Sequence, residues 1–139
     1  MNFDPQEFLL QYADAYNARD PEALRSCFAL EDPRFGIFED YAGVLFDGET
    51  YGAVLEAAFD ATAEMSFELL RCDRFDDFAV IHAIQKLSDR DDEEGIAEAL
   101  IRATLWVSIS HGPPRIVTGH FSRLPDTGQE CCLPGGCQG

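Results

Sequence analysis

The apolar residues of this 139-residue chain change their period once, and that change constrains the fold more than any other feature. In the first part they recur at helical spacing. Phe8, Leu9, Tyr12, Ala13 and Tyr16 fall on one helical face, and Tyr51, Val54, Leu55, Ala58 and Phe59 mark another, over about Glu49 to Ala63. Beyond it come four runs rich in β-branched and aromatic residues: Ser66–Cys72, Phe78–Leu87, Ile96–Ser110 and Arg115–Leu124. Their separators, Asp73–Asp77, Ser88–Gly95 and His111–Pro114, are turn chemistry or charge. Helices first, then a series of antiparallel strands, is the pattern of an α+β domain.

Punctuation sharpens this outline. Asp4-Pro5 with Glu7 is a helix start, aspartate at the N-cap and proline at the first helical position. Asp20-Pro21 repeats it ahead of Ala23, Leu24, Cys27 and Phe28, and Pro33 closes that unit. Phe35–Phe38 and Val44–Phe46 read as short strands around a turn at Glu39–Gly43. The expectation is one domain over residues 1–124, with three N-terminal helices. Residues 125–139 form a Gly- and Cys-rich tail expected to be mobile.

Charge restricts the partners. The chain carries 26 Asp+Glu against 10 Lys+Arg, a formal net charge of −16. Nucleic-acid binding needs clustered cations to displace counterions, and anionic membranes repel such a surface, so neither is an expected partner. With 11 Phe and 46% hydrophobic residues the chain is not a disordered acidic tail. No stretch approaches the ~18 apolar residues of a membrane span. No signal peptide is visible at the start, so a cytoplasmic location is expected. Of five cysteines, Cys27 and Cys72 lie in periodic apolar segments and read as buried thiols, while Cys131, Cys132 and Cys137 crowd the tail. The tail thiols could capture a soft metal ion. Without a Cys-x-x-Cys pair or a nearby histidine they make no standard zinc pattern, so no metal or cofactor is expected. The carboxylate run Asp89–Glu94 lacks the glycine and ligand spacing of a calcium loop and reads as a solvated hairpin tip.

Several strings, in this order, resemble a known superfamily. Tyr12-Ala-Asp-Ala-Tyr16-Asn17-Ala-Arg-Asp20-Pro-Glu-Ala-Leu24 is similar to its first helix, break and second helix. Phe46-Asp47-Gly48 precedes the third helix. Ala103-Thr-Leu-Trp-Val, a Gly-Pro-Pro turn, Arg115-Ile116-Val117 and His120-Phe121-Ser122 resemble its closing hairpin. Over about residues 5 to 124 the chain resembles the SnoaL-like and ketosteroid-isomerase-like branch of the nuclear-transport-factor-2-like superfamily. The resemblance implies a cone, with three helices packed on a curved, mainly antiparallel mixed sheet and an apolar pocket at its open end. A small apolar ligand and a homodimer are what it implies as partners. Such folds host isomerases, cyclases, dehydratases and pure binding domains, so activity has to come from the site.

Carried over residue by residue, the resemblance puts Tyr12 at the position of an oxyanion-hole tyrosine, where a phenol donates to a developing enolate. Core packing is the competing role for that ring. Ungapped counting puts Gly36 where the catalytic carboxylate falls. Glu39 and Asp40 lie three and four residues later, and a small insertion would bring one of them, with Asp40 as the candidate, into place. Both also suit a turn, which the local composition favours. The second carboxylate's position falls on Trp106, which cannot act as an acid and argues against authentic steroid isomerisation. His82 alternates with Phe78, Val80 and Ile84, and the resemblance turns that set toward the pocket, making His82 a candidate general base opposite Tyr12. The expected ligand contacts are Tyr16, Phe59, Val80, Ile84, Trp106 and His120. Three functions follow as alternatives: proton transfer on an apolar carbonyl compound, ligand binding without catalysis, or a dimerisation module carrying a thiol-rich metal or redox tail.

Overall fold

The computed structural model describes residues 3–40, 42–60, 63–89 and 97–124. The cysteine-bearing tail and most of the Asp89–Glu94 segment lie outside the described residues. Two helices, α1 (Pro5–Asn17) and α2 (Pro21–Arg25), precede strands β1 (Gly36–Phe38) and β2 (Leu45–Phe46). Helix α3 (Gly48–Ala57) runs into a 3-10 turn at Ala58–Asp60. The long strands β3 (Ala63–Phe75), β4 (Phe78–Asp89), β5 (Ala97–Ser108) and β6 (Arg115–Arg123) follow. The three helices pack against a six-stranded mixed sheet in the order β2-β1-β6-β5-β4-β3, in which only β1 and β6 run parallel.

Local chemistry sets the helix starts. Asp4 accepts the backbone N–H groups of Gln6 and Glu7, Asp20 accepts that of Ala23, and Asp47 accepts that of Thr50. Each satisfies amides that a first helical turn leaves without partners. Gly48 opens α3 because nothing larger fits: a Cβ there would lie 1.8 Å from the Leu30 carbonyl oxygen.

Helix α3 is shorter than its period suggests, and β3 begins at Ala63 rather than Ser66. The reason is a long-range anchor. β3 is a sheet edge, and Asn17 at the end of α1 pairs with its outer rim like a piece of strand. The Asn17 Nδ2 donates to the Met65 carbonyl at 3.0 Å, and the Met65 N–H donates to Asn17 Oδ1 at 2.7 Å. Arg19 adds a hydrogen bond to the Ala63 carbonyl at 3.0 Å.

The sheet's inner face and the helices enclose the core. Ile81, Leu105, Val107 and Ile116 are fully buried on the sheet side, and Leu9, Leu24, Phe28 and Tyr51 on the helix side. Phe28 ties the two helical layers, its ring edge-on to Tyr12 and to Tyr51 with both centroid distances 5.4 Å. Register shifts between Leu69 and Arg71 in β3, and between Trp106 and Val107 in β5, interrupt the ladders. Such bulges bend a strand, which lets a sheet wrap a cavity.

Candidate functional site

The sheet parity decides which side chains can meet a ligand, and it is opposite to the expectation drawn from the resemblance. On β4 the inward set is Ala79, Ile81, Ala83 and Gln85. His82 is exposed, and Val80 and Ile84 share its outer face. Cross-strand pairing carries the same parity over the sheet: Val80 lies opposite Trp106, His82 opposite Thr104, and Thr104 opposite His120. His82, Val80, Ile84, Trp106 and His120 therefore stand on the outside of the cone, away from the cavity. The cause is that both faces of β4 are rich in apolar residues. Alternation separates two sets without naming the inner one. Val80 is buried even so, because the rings of Phe78 and Trp106 pack together on the outer face (centroids 6.2 Å apart).

The inner side holds a cavity of about 400 Å³ between α1, α3 and the sheet. Leu24, Val54, Leu55, Met65, Leu87 and Ile101 supply its apolar wall, and Tyr12, Tyr16, Glu39, Asp40, Tyr51, Gln85 and Arg123 its polar groups. Tyr12, Tyr16 and Asp40 among the expected residues line it. Phe59 stands behind, its ring 5.9 Å from that of Tyr16.

Each polar group has a distinct environment. Tyr12 is 3% exposed, its ring edge-on to Phe28 and Phe67, so it is a core aromatic and a cavity wall at once. Burial, with the Glu39 carboxyl nearby, holds its phenol well above the usual range, while the Gln85 side chain acts the other way. Tyr12 therefore stays protonated and able to donate. Tyr16 donates to the Ala58 carbonyl at 3.2 Å, with the Arg19 guanidinium 4.5 Å over its ring.

The two adjacent carboxyls divide. Asp40 is held by Arg123 from β6, whose Nε and one terminal nitrogen both lie 2.8 Å from its Oδ2. Its side chain, 7% exposed, thus lines the cavity as an ion-paired group. Glu39 takes no cation among the described residues. Its Oε2 accepts the Tyr51 O–H, and burial pushes its carboxyl up to about 7. The Tyr51 hydrogen bond lowers this value, the Asp40 charge raises it, and the Asp40 backbone N–H lowers it again. The turn reading of Glu39 is compatible with its position after β1, yet its side chain points into the cavity.

Gln85 is the residue the sequence reading passed over as a site. It is 6% exposed; its Nε2 donates to the Met65 thioether, 3.6 Å away, and its side chain also hydrogen-bonds the Tyr12 phenol. That places its amide on the cavity wall beside the Tyr12 hydroxyl. Its signal was in the sequence: a lone amide among Ala79, Ile81 and Ala83 belongs either to solvent or to a ligand. Among the described residues no group of three or more His, Cys, Asp or Glu could hold a metal ion, and no helix is long and apolar enough to cross a membrane.

No protein-family model matches the sequence, and no curated protein matches it. Solved structures do match. An NTF2-like protein of unknown function from Pseudomonas putida is 21% identical, with 91% of this chain and 89% of that one covered and a TM-score of 0.69. A candidate calcium/calmodulin-dependent protein kinase type II association domain from Thiobacillus denitrificans is 20% identical, with coverage of 87% and 95% and a TM-score of 0.72. A candidate dehydratase of the NTF2-like family from Streptomyces avermitilis is 15% identical, covering 85% and 92%, with a TM-score of 0.69. At these identities the likeness speaks for the backbone and not for the chemistry. The element order, the mixed six-stranded sheet and these matches give the chain the NTF2-like α+β cone fold.

Proposed function

We propose that the cavity binds a small apolar carbonyl compound and moves a proton on it, as an isomerase, cyclase or dehydratase would. One observation carries this reading. The Glu39 carboxyl, which takes no cation among the described residues and which burial pushes up to about 7, shares a largely apolar cavity with the buried Tyr12 phenol. A base whose pKa lies near the working pH combines available carboxylate with useful proton affinity. The Glu39 carboxylate removes a proton from the carbon next to the ligand's carbonyl. The electron pair of that C–H bond moves onto the carbonyl oxygen, where the Tyr12 O–H and the Gln85 N–H stabilise the enolate. Glu39 then returns the proton to the same or a neighbouring carbon, which leaves the enzyme unchanged. The cavity volume falls within the range of ~300–1,000 Å³ common for small-molecule sites.

The test is exchange of α-hydrogens for deuterium in D₂O, followed by proton NMR on 2-cyclohexenone, cyclopentanone and a γ-lactone. Exchange above the buffer rate that disappears in Glu39→Gln supports the proposal. Saturable binding of these compounds with no exchange would assign the cavity to binding alone.

A second copy of the chain is the partner this reading includes, seated on the outer sheet face. Among the described residues the outward positions from Phe78 to Lys86 on β4, Leu100 to Ser108 on β5 and Thr118 to Ser122 on β6, with Phe38 on β1, carry no carboxylate, while Glu64, Glu68 and Asp73 on β3 and Glu98 at the start of β5 rim this patch, in a chain with a net charge of −16. They present Trp106, 41% exposed and stacked on Phe75, together with His82, Lys86, Arg102 and His120. A strongly acidic chain can meet its own copy only where its carboxylates are missing. Sedimentation equilibrium at micromolar concentration is expected to give a dimer, and Trp106→Glu a monomer. A monomeric wild type would overturn the assignment.

A further inference from the structure

We propose that Tyr51 is the positioning residue of the site, holding one oxygen of the Glu39 carboxyl so that the other is presented to the ligand. The proposal rests on the reading of Glu39 as the proton-exchanging group, and it follows from how differently the two residues are anchored.

Glu39 belongs to the connection that leaves β1, where the backbone makes no ladder of its own. A glutamate on such a segment has three side-chain torsions to fix before it can act as a base. Tyr51 has none left to fix. It is 1% exposed on α3, and its ring is packed by Phe28, Phe35 and Phe46, at centroid distances of 5.4, 5.8 and 6.1 Å. The helix under it is fixed in turn. Asp47 caps it, and Gly48 seats its first turn against the Leu30 carbonyl. The hydroxyl at the end of this rigid aromatic donates to Glu39 Oε2 across the cavity wall. With Oε2 engaged, proton exchange with a ligand falls to Oε1.

The other groups around the carboxyl do not duplicate this role. Tyr12 and Tyr16 reach the cavity from α1, Gln85 from β4 and Arg123 from β6. Tyr16 spends its proton on Ala58, and Arg123 is committed to Asp40. Asp40, next in the chain, acts on Glu39 in two ways: its side chain is a like charge that works against ionisation, and its backbone N–H hydrogen-bonds the carboxyl, the weaker of the two donors that favour the charged form. Tyr51 is thus the rigid side-chain donor that favours the carboxylate and aims it. A loosely held glutamate would lose both alignment and ionisation, because effective proton transfer depends on a near-attack geometry.

The experiment is a carboxyl ¹³C titration of Glu39 in the ligand-free protein, for wild type, Tyr51→Phe and Asp40→Asn. Losing a charge-assisted hydrogen bond is expected to raise the Glu39 midpoint in Tyr51→Phe by roughly one pH unit or more. Removing the neighbouring charge in Asp40→Asn is expected to lower it. In α-hydrogen exchange of 2-cyclohexenone, Tyr51→Phe should reduce kcat at least about tenfold with little change in KM, the mark of lost alignment. Its acid limb should move upward with the NMR midpoint. If Tyr51→Phe does not fold, 3-fluorotyrosine placed at position 51 makes a stronger donor, and the midpoint is expected to fall. An unmoved midpoint in the folded variant overturns the role of Tyr51. Absence of exchange in the wild type with a moved midpoint counts against the proton-transfer reading and leaves Tyr51 as the holder of a buried acid.

Discussion

Replacing Glu39 by Gln should stabilise the protein, by a margin that grows from about pH 5 and levels off above pH 7. Burial raises the Glu39 carboxyl from 4.5 to about 7. The folded state therefore binds the proton more tightly than the unfolded chain does. The stabilisation that comes with that proton is complete below about pH 4.5 and is lost as pH rises through 7. At about 1.4 kcal/mol for each pH unit between the two values, the loss amounts to about 3 kcal/mol. A glutamine has nearly the same shape, and its carbonyl can accept the Tyr51 O–H, but it has no charge to bury. The variant should match the wild type at pH 4.5, pull ahead between pH 5 and 7, and hold a constant lead of about 2–3 kcal/mol at pH 8. In a chain of this length the lead corresponds to roughly 6–12 °C in Tm. Urea unfolding of both proteins at five pH values measures it. The titrations of the other carboxylates are common to the two proteins and cancel in the difference. A difference that stays flat from pH 4.5 to 8 would falsify the claim that Glu39 is held protonated by its surroundings.

Three other substitutions test the structural argument. Gly48→Ala puts a methyl 1.8 Å from the Leu30 carbonyl oxygen, and it should cost about 2–3 kcal/mol in urea unfolding because backbone on both sides has to move. Asn17→Ala strips both outward backbone groups of Met65 of their partner, and a loss of about 2 kcal/mol is expected, together with faster amide exchange at Met65. His82→Ala, on the outer face, should change unfolding free energy by less than about 0.5 kcal/mol and leave ligand affinity in the cavity unaltered. A large loss of affinity there would put His82 back in the site.

What the sequence made legible was whatever is decided by neighbours in the chain. Asp4, Asp20 and Asp47 cap helices through side chains that reach no further than three residues, so helix starts can be read directly. The four long strands were likewise announced by their composition and their turns. The end of α3 was not, because Asn17 captures Met65 from 48 residues away and starts β3 early. Of the site, Tyr12 could be set on the cavity wall by counting back from Asp20, across the short break between α1 and α2. Glu39 could not be told from Asp40, since only tertiary contacts separate them: Arg123 takes one and the Tyr51 hydroxyl takes the other.

The inverted sheet face has a deeper cause, and it bears on how the site arose from the pattern. On most half-exposed sheets polar residues mark the outside, so parity is legible. Here the outer row of β4 mixes Phe78, Val80 and Ile84 with His82 and Lys86, and the inner row mixes Ala79, Ile81 and Ala83 with Gln85, so each row has both apolar and polar members. What distinguishes the rows is size. The inner row is small because helices must approach, while the outer row is bulky and is covered in part by its own neighbours, Trp106 and Phe75. Small residues at 79, 83 and 103 let the helices approach the sheet, while the sheet's part of the cavity wall comes from Met65, Gln85, Leu87, Ile101 and Arg123. Polarity marks the outside on β5, where Arg102, Thr104 and Ser108 alternate with buried Ile101, Leu105 and Val107, and the β4–β5 register then carries that parity to β4, putting Gln85 rather than His82 on the inner face.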